Sequence, residues 1–444
     1  MFFERHLYKD LVAWQQGKYR KPLIVQGARQ TGKTSLVRHF GKTQFADMAY
    51  FNFDERPELN QIFKQTKQVE RLLHNLSIIH GRKIDPTNTL IFFDEIQECE
   101  EALNALKYFS ENAPEYPIIA AGSLLGISLG TNKSFPVGKV EFLKLYPLTF
   151  SEFLKAKDPR LHDYLRTIDP FEPLLDAIFN ESLDIFKTYM LCGGMPEPAL
   201  RMVETMDMFE IEKSLNQIHT AYAFDFSKHA EKTEAIKINY VWESIPSQLA
   251  KENKKFIYQT IRQGARAREY ENALIWLEQA GLIYRVPLCK KPAFPLSFYS
   301  DLSAFKIYLL DIGLLRHQTK LDPLLFKEGY RLFTEFKGAL SENYVLQSLT
   351  TQFDSGLSYW TSDAIAEVDF LLQYRDKILP IEVKSGESIR SKSLAYYAKQ
   401  YNPELKVRFS LKNLEVTEGF INIPIFLADQ TKRFVDALLN ALIL

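Results

Sequence analysis

The residues Gly27-Ala28-Arg29-Gln30-Thr31-Gly32-Lys33-Thr34 follow the spacing G-x-x-x-x-G-K-[ST] in full. That spacing suits the holding of a polyphosphate. Glycines let successive backbone N–H groups turn toward one anion, and a helix N-terminus behind them adds positive potential. In such a loop Lys33 reaches the β- and γ-phosphates as a point charge, and the Thr34 hydroxyl is a ligand for Mg²⁺. The loop works only between a strand and a helix. Leu23-Ile24-Val25 gives the apolar run before it, and Ser35-Leu36-Val37-Arg38-His39-Phe40 a helix-compatible run after it. Gly27 through Ser35 are therefore the expected nucleotide contacts, with ATP and Mg²⁺ as the cofactors.

Roughly 60 residues further on, Leu90-Ile91-Phe92-Phe93 delivers Asp94-Glu95. A buried strand with acids at its C-terminal edge is what an α/β nucleotide site requires. Asp94 is expected to hold Mg²⁺ through water, and Glu95 to orient and polarise an attacking water. Two adjacent acids point to hydrolysis rather than binding alone. The next apolar run, Pro117–Ala121, ends in Gly122-Ser123. Ser123 is placed to sense the γ-phosphate; a serine there is equally a helix N-cap.

A separate constellation lies near the C-terminus. Glu382 and Lys384 are two apart on one expected strand, Ile378–Val383 and its continuation, and so face the same side. Asp369 lies on the partner strand, Val368–Gln373, across an Arg375-Asp376-Lys377 turn. Glu342 lies on the preceding helix, Gly338–Leu349. This E…D…E-x-K order resembles the PD-(D/E)xK nuclease core. In it, Asp369 and Glu382 would bind Mg²⁺ or Mn²⁺ with the Val383 carbonyl, and Glu342 would add a further carboxylate. Lys384 would orient or help deprotonate the attacking water. The competing reading is a salt-bridged hairpin. Tyr359 and Trp360, just before it, read as core.

A chain of 444 residues is too long for one core. Residues 1–150 alternate strands and helices, with strands expected at Leu23–Gln26, Ala49–Phe53, Thr89–Phe93, Pro117–Ala121 and Val140–Leu145. Residues 151–235 are helical in pattern, as in a lid. Residues 236–325 run helix, helix, then hairpin (Ile283–Val286 and Ile307–Leu310), like a winged helix. Residues 326–444 carry the second constellation. Lys+Arg and Asp+Glu both number 55, so a globally basic nucleic-acid binder is not indicated. A local basic stretch leaves DNA open as a partner: Lys251, Lys254, Lys255, Arg262, Arg266 and Arg268 against Glu252. Cys99, Cys192 and Cys289 are far apart and form no C-x-x-C, which suits a reducing compartment without disulfide or zinc site. There is no long apolar leader and no apolar run of membrane-spanning length; the Phe434–Leu444 tail is broken by Asp436 and Asn440 and reads as a docked helix. A cytoplasmic location with no membrane partner is the expectation.

The order of Gly27–Thr34, Phe92–Gln97, Ala120–Ser123, Gly138–Leu154 and Gly193–Glu197 resembles a large group of bacterial and archaeal AAA-like ATPases. The likeness continues through Phe305–Leu314, Gly338–Val345 and Glu367–Ser385. It implies an α/β fold: a P-loop NTPase (AAA-like) core with a helical lid, a winged-helix-like middle segment and a C-terminal restriction-endonuclease-like domain. It implies Mg²⁺-dependent ATP hydrolysis coupled to a nuclease-like, DNA-associated domain. The alternative is an ATP-dependent switch or scaffold that binds DNA or protein without cleaving. Assembly as a homo-oligomer is open. One position departs from the pattern: Lys139 stands where arginine is usual, and lysine lacks the forked geometry of an arginine finger. A solvated lysine in a turn is the favoured reading there. Gly193-Gly194-Met195-Pro196 is expected to make a tight turn in the lid.

Overall fold

The computed structural model describes residues 2–123, 125–127, 138–251, 254–320, 334–362, 366–386 and 391–441, the side chains of 334–337 excepted. The chain divides into two compact units: Phe2–Tyr146 with Gln279–Leu282, and Pro147–Glu278 with Ile283–Leu444.

The N-terminal unit is built on five strands: β1 (Leu23–Gln26), β2 (Asp47–Asn52), β3 (Thr89–Asp94), β4 (Ile118–Gly122) and β5 (Glu141–Lys144). Their order is β2-β3-β4-β1-β5, and every neighbouring pair is parallel. Parallel sheets are covered on both faces, so their strands are apolar throughout. Every residue of β3 and β4 is buried accordingly. Successive residues face opposite sides. Phe92 packs with Leu36, Val37 and Phe40 of the helix Lys33–Gln44. Phe93 faces the other layer, with ring contacts to Phe51, Phe53, Phe63 and Phe109 at centroid distances of 5.7 to 6.4 Å. The strand order sets β4 between the loop-bearing β1 and the acid-bearing β3, so three C-terminal strand ends meet.

The second unit opens with helices Phe150–Lys157, Pro159–Thr167, Asp176–Cys192, Pro196–Glu204, Met208–His229 and Lys232–Leu249. The first starts sharply because Thr149 and Glu152 form a reciprocal capping box. After helix Ala267–Gln279 come β6 (Ile283–Cys289) and β7 (Ser300–Leu309). Helix Thr334–Thr350 leads to β8 (Leu357–Ser362), β9 (Ala366–Tyr374) and β10 (Lys377–Lys384). Helix Lys392–Tyr401 then precedes β11 (Lys406–Ser410), β12 (Glu415–Thr417) and β13 (Phe420–Pro424). These form one eight-stranded sheet, β12-β13-β11-β10-β9-β8-β6-β7. The β6–β7 hairpin is therefore no free-standing wing: Leu288 pairs with Tyr359 of β8. Strands β8, β9 and β10 run antiparallel in turn, and β11 lies parallel to β10. The β9–β10 turn is one residue tighter than expected, since Lys377 already pairs with Tyr374. The tail forms helix Thr431–Ala441, with Phe434, Val435, Leu438 and Leu439 buried; residues 442–444 lie outside the described residues. No described helix is long and apolar enough to cross a membrane. The three cysteines are free and buried.

Phe93 joins the acid strand to the phenylalanine layer. Phe93→Ala is expected to destabilise the N-terminal unit by about 3–5 kcal/mol, through lost burial and the cavity left behind. Phe142→Ala, on edge strand β5 where the ring is 44% exposed, should stay within about 0.5 kcal/mol of the parent. Denaturant titration of both variants checks the contrast.

Candidate functional site

β1 ends at Gln26 and the next helix begins at Lys33, leaving Gly27–Gly32 as the loop. Gly32 takes φ of +94°, in the left-handed region, as it starts the helix. A Cβ on Gly27 would lie 2.3 Å from the Leu145 carbonyl oxygen, so a side chain has no room there. Lys33 is buried and its Nζ donates to the carbonyls of Gly27 (3.0 Å) and Ala28 (2.9 Å). Thr31 Oγ1 donates to the same Ala28 carbonyl at 2.9 Å. Arg29, Gln30 and Ser35 are exposed on the outer side. The loop is also fastened by Arg5, whose guanidinium donates to the carbonyls of Thr31 (2.9 Å) and Tyr146 (2.5 Å).

Asp94 ends β3 and is only 2% exposed. Its carboxylate accepts from Tyr50 Oη at 3.0 Å and from the Glu95 N–H at 3.2 Å, and it is hydrogen-bonded to the Thr34 side chain. Burial pushes this carboxyl above its ordinary range, while the bonds from Thr34 and Tyr50 oppose the rise. Tyr50 is itself held by Asn52 Nδ2 at 3.2 Å and by the Arg38 guanidinium 4.1 Å above its ring. A hydroxyl against a buried carboxylate is a hard-oxygen donor set, and it fits Mg²⁺.

Glu95 has φ of +49°, uncommon for a residue with a side chain. Its Oε2 accepts from Gln97 Nε2 at 2.6 Å. A Cβ on Gly122 would come 2.2 Å from Gln97 Oε1, so the glycine ending β4 leaves space for this glutamine. Ser123, buried, follows directly and lies at the strand end between the loop and the acids. Lys139 pairs with Glu111 at 2.9 Å, both side chains nearly half exposed, as a surface ion pair. The Gly193-Gly194 turn is bound within its own unit. The Gly194 N–H donates to Asp311 at 2.6 Å, and its carbonyl accepts from the Leu148 N–H at 2.6 Å.

In the second unit, Glu342 is 5% exposed, with one oxygen on the Lys254 ammonium and the other on the Tyr308 hydroxyl at 3.1 Å. Burial would lift this carboxyl, but Lys254 and Lys306 outweigh it and hold it low. Asp369 Oδ2 accepts from the Val383 N–H at 2.8 Å; burial, then the nearby Glu342, pushes this carboxyl up. Glu382 Oε1 lies 2.5 Å from Lys384 Nζ. Lys306, fully buried, pairs with Glu367. Among the described residues no group of three or more His, Cys, Asp or Glu is spaced to hold a metal ion. Resident amines hold Glu342 and Glu382 of the expected trio with Asp369, and the residues as they stand do not fit a metal. Lys384, expected to serve a water, sits on Glu382 instead. In the basic stretch, Lys254 is engaged by Glu342 and Lys251 by Thr260 Oγ1. Lys255, Arg262, Arg266 and Arg268 are exposed, and Glu252 lies outside the described residues. Tyr359 and Trp360 are buried core.

The family model described as an AAA domain matches residues 19–154. The N-terminal unit is an AAA-like P-loop ATPase domain. Two further models, described as domains of unknown function (DUF8612 and DUF4143), match residues 183–325 and 337–427. No curated protein matches the chain. Among solved structures, the Walker-type ATPase PABY2304 of Pyrococcus abyssi is 16% identical, covering 72% of this chain and 96% of its own, at a TM-score of 0.42. The Aeropyrum pernix ORC1 protein, solved in complex with DNA, is 13% identical over 73% of this chain and 92% of its own, at 0.29. Thermotoga maritima RuvB is 15% identical over 64% and 91%, at 0.29.

In the AAA-like domain, sequence reasoning missed Arg5, Tyr50, Asn52 and Gln97. Tyr50 and Asn52 had a signal: they alternate on one face of β2, and Asn52 pairs with Asp94. Gln97 is expected to act through Glu95. Gln97→Ala should lower ATP turnover about tenfold, or about 1.4 kcal/mol, with affinity for ATP little changed. An equal loss of affinity in a nucleotide titration would mean that the glutamine supports the loop instead.

Proposed function

We propose that the N-terminal domain binds ATP with Mg²⁺ and hydrolyses it, and that this cycle controls a nuclease-like, DNA-associated second unit. The contact between Thr34 and Asp94, with Glu95 beside it, carries the first half. Phosphates entering the loop take the backbone N–H groups, and Lys33 turns from the Gly27 and Ala28 carbonyls to the β- and γ-oxygens. Thr34 and Asp94 hold Mg²⁺, which when bound neutralises charge on those phosphates. Glu95, oriented by Gln97, positions the water, and Ser123 senses the γ-phosphate. Residues 1–150 are the ATPase core, 151–235 a lid, 236–325 a winged-helix-like segment and 326–444 the nuclease-like domain.

Support for the second half is topological. A helix, three antiparallel strands, a second helix and a strand parallel to the third follow in that order, with Asp369 on β9 and Glu382 and Lys384 on β10. Exposed Lys255, Arg262, Arg266 and Arg268 suit phosphate contacts. A second reading, an ATP-dependent switch or scaffold that binds without cutting, is favoured by one observation: Glu342 and Glu382 each already hold a lysine.

Lys33→Ala is expected to abolish ATP binding, and Glu95→Gln to keep ATP while losing hydrolysis by about 10²-fold or more. Fluorescent-nucleotide titration and phosphate release separate the two, and unchanged turnover in Glu95→Gln would remove its assigned role. For the second unit, linear, circular and single-stranded DNA are incubated with Mg²⁺ or Mn²⁺, with and without ATP, beside Lys384→Ala. Cleavage lost in the variant supports the nuclease; intact ATP turnover without cleavage decides for the switch.

A further inference from the structure

We infer that the tip of the β6–β7 hairpin and helix Lys392–Tyr401 form a binding surface for single-stranded DNA, in which exposed rings stack on unpaired bases and lysines meet the phosphates. The inference rests on the DNA-associated reading of the second unit, and it uses residues other than Lys255, Arg262, Arg266 and Arg268.

Residues 290–300 form the hairpin tip. Phe298 is 80% exposed and Phe294 54%, and Leu302 at the start of β7 is exposed as well. The backbone that carries them is nevertheless fastened down. Leu296 is buried in one cluster with Trp360 and Tyr397, and its N–H donates to Gln373 Oε1 at 2.8 Å. The turn Leu296–Tyr299 is closed by the Phe298 N–H, which donates to the Pro295 carbonyl at 3.1 Å. The Phe298 ring stands edge-on to Tyr299, with centroids 5.3 Å apart. Apolar rings held in water on a fixed backbone forgo the stabilisation of burial, which a partner lying over them restores.

Helix Lys392–Tyr401 packs on the same cluster through Tyr397. From it the exposed Tyr396 stacks on Trp360, with centroids 6.3 Å apart. Charge decides the class of partner. Residues 290–300 and 392–401 hold Lys290, Lys291, Lys392 and Lys399, all exposed, and no acid. Asp301, beside the tip, is held by Lys290 at 2.7 Å and by the Ser303 hydroxyl at 2.6 Å. The Lys291 ammonium lies 5.7 Å from the centre of the Tyr299 ring. In a chain with no net charge, such a gathering of cations is local. Rings interleaved with cations suit a polyanion that also offers flat faces. A duplex closes those faces on one another, whereas a single strand leaves them open. An acidic protein surface would answer the lysines and leave the rings in water.

The test measures fluorescence anisotropy of the full chain with a labelled oligothymidine of about 16 nucleotides, and with a duplex of equal length, in EDTA so that nothing is cut. Phe294→Ser with Phe298→Ser should bind the single strand at least ~tenfold more weakly, with the duplex unaffected. Lys291→Gln and Lys399→Gln should each flatten the salt dependence for the single strand by about 0.7 in log–log slope. All these positions are exposed, so the variants are expected to melt with the parent. Unchanged single-strand affinity in the double serine variant overturns the inference and leaves the DNA-associated reading standing; so does an equal loss on the duplex. If that variant instead abolishes a self-association seen by light scattering, with DNA affinity unmoved, the surface belongs to a second copy and the inference falls. No binding of either DNA by the parent overturns both.

Discussion

A carboxylate taken out of water at the end of a fully buried strand is the constraint around which the N-terminal domain is arranged. Asp94 ends a strand with no exposed residue, so its charge must be met locally. Tyr50 meets it from the neighbouring strand, Thr34 from the helix behind the loop, and Glu95 through its own N–H. Those donors come from three places in the chain, and only the parallel sheet order brings them together. The left-handed turn at Glu95 follows, because the backbone must fold back on Asp94 and still present the second acid to Gln97. Such a conformation is maintained by the packing around it. Gly122 is part of the same solution, since a side chain on it would strike Gln97.

The second unit meets a similar constraint with different chemistry. Glu342 and Glu382 are buried as deeply, but amines answer them. Lys306 at zero exposure is uncommon, and it persists because Glu367 pairs with it and other acids lie close. The two units thus show two ways of keeping a carboxylate inside a protein: hydroxyl and N–H donors in one, and ammonium groups in the other.

The nucleotide loop and the acid pair were legible because each rests on a local pattern. Glycine spacing, a flanking apolar run and adjacent acids survive without knowledge of the fold. The strands of the N-terminal sheet were legible for the same reason, to within a residue or two at their ends. Arg5 was not, since nothing near it in sequence says that its guanidinium caps the carbonyls of Thr31 and Tyr146. Lys254 reads as a candidate phosphate contact because it lies in a local excess of cations, whereas its partner Glu342 is far along the chain. Long-range ion pairs leave no periodic trace. The hairpin β6–β7 was visible as a hairpin, but its lateral pairing with β8 was not.

That lateral pairing has a consequence for how this chain can be divided. Strand β8 would otherwise be the outer strand of the sheet holding the C-terminal carboxylates, with unpaired N–H and C=O groups open to any other strand. The hairpin covers that flank, although helices Ile312–Gln318 and Thr334–Thr350 come between it and β8 in the chain, and although separate family models match the two stretches. A fragment beginning after β7 would bare the flank and invite self-association. The two stretches therefore share one sheet, and a cut between them would split it.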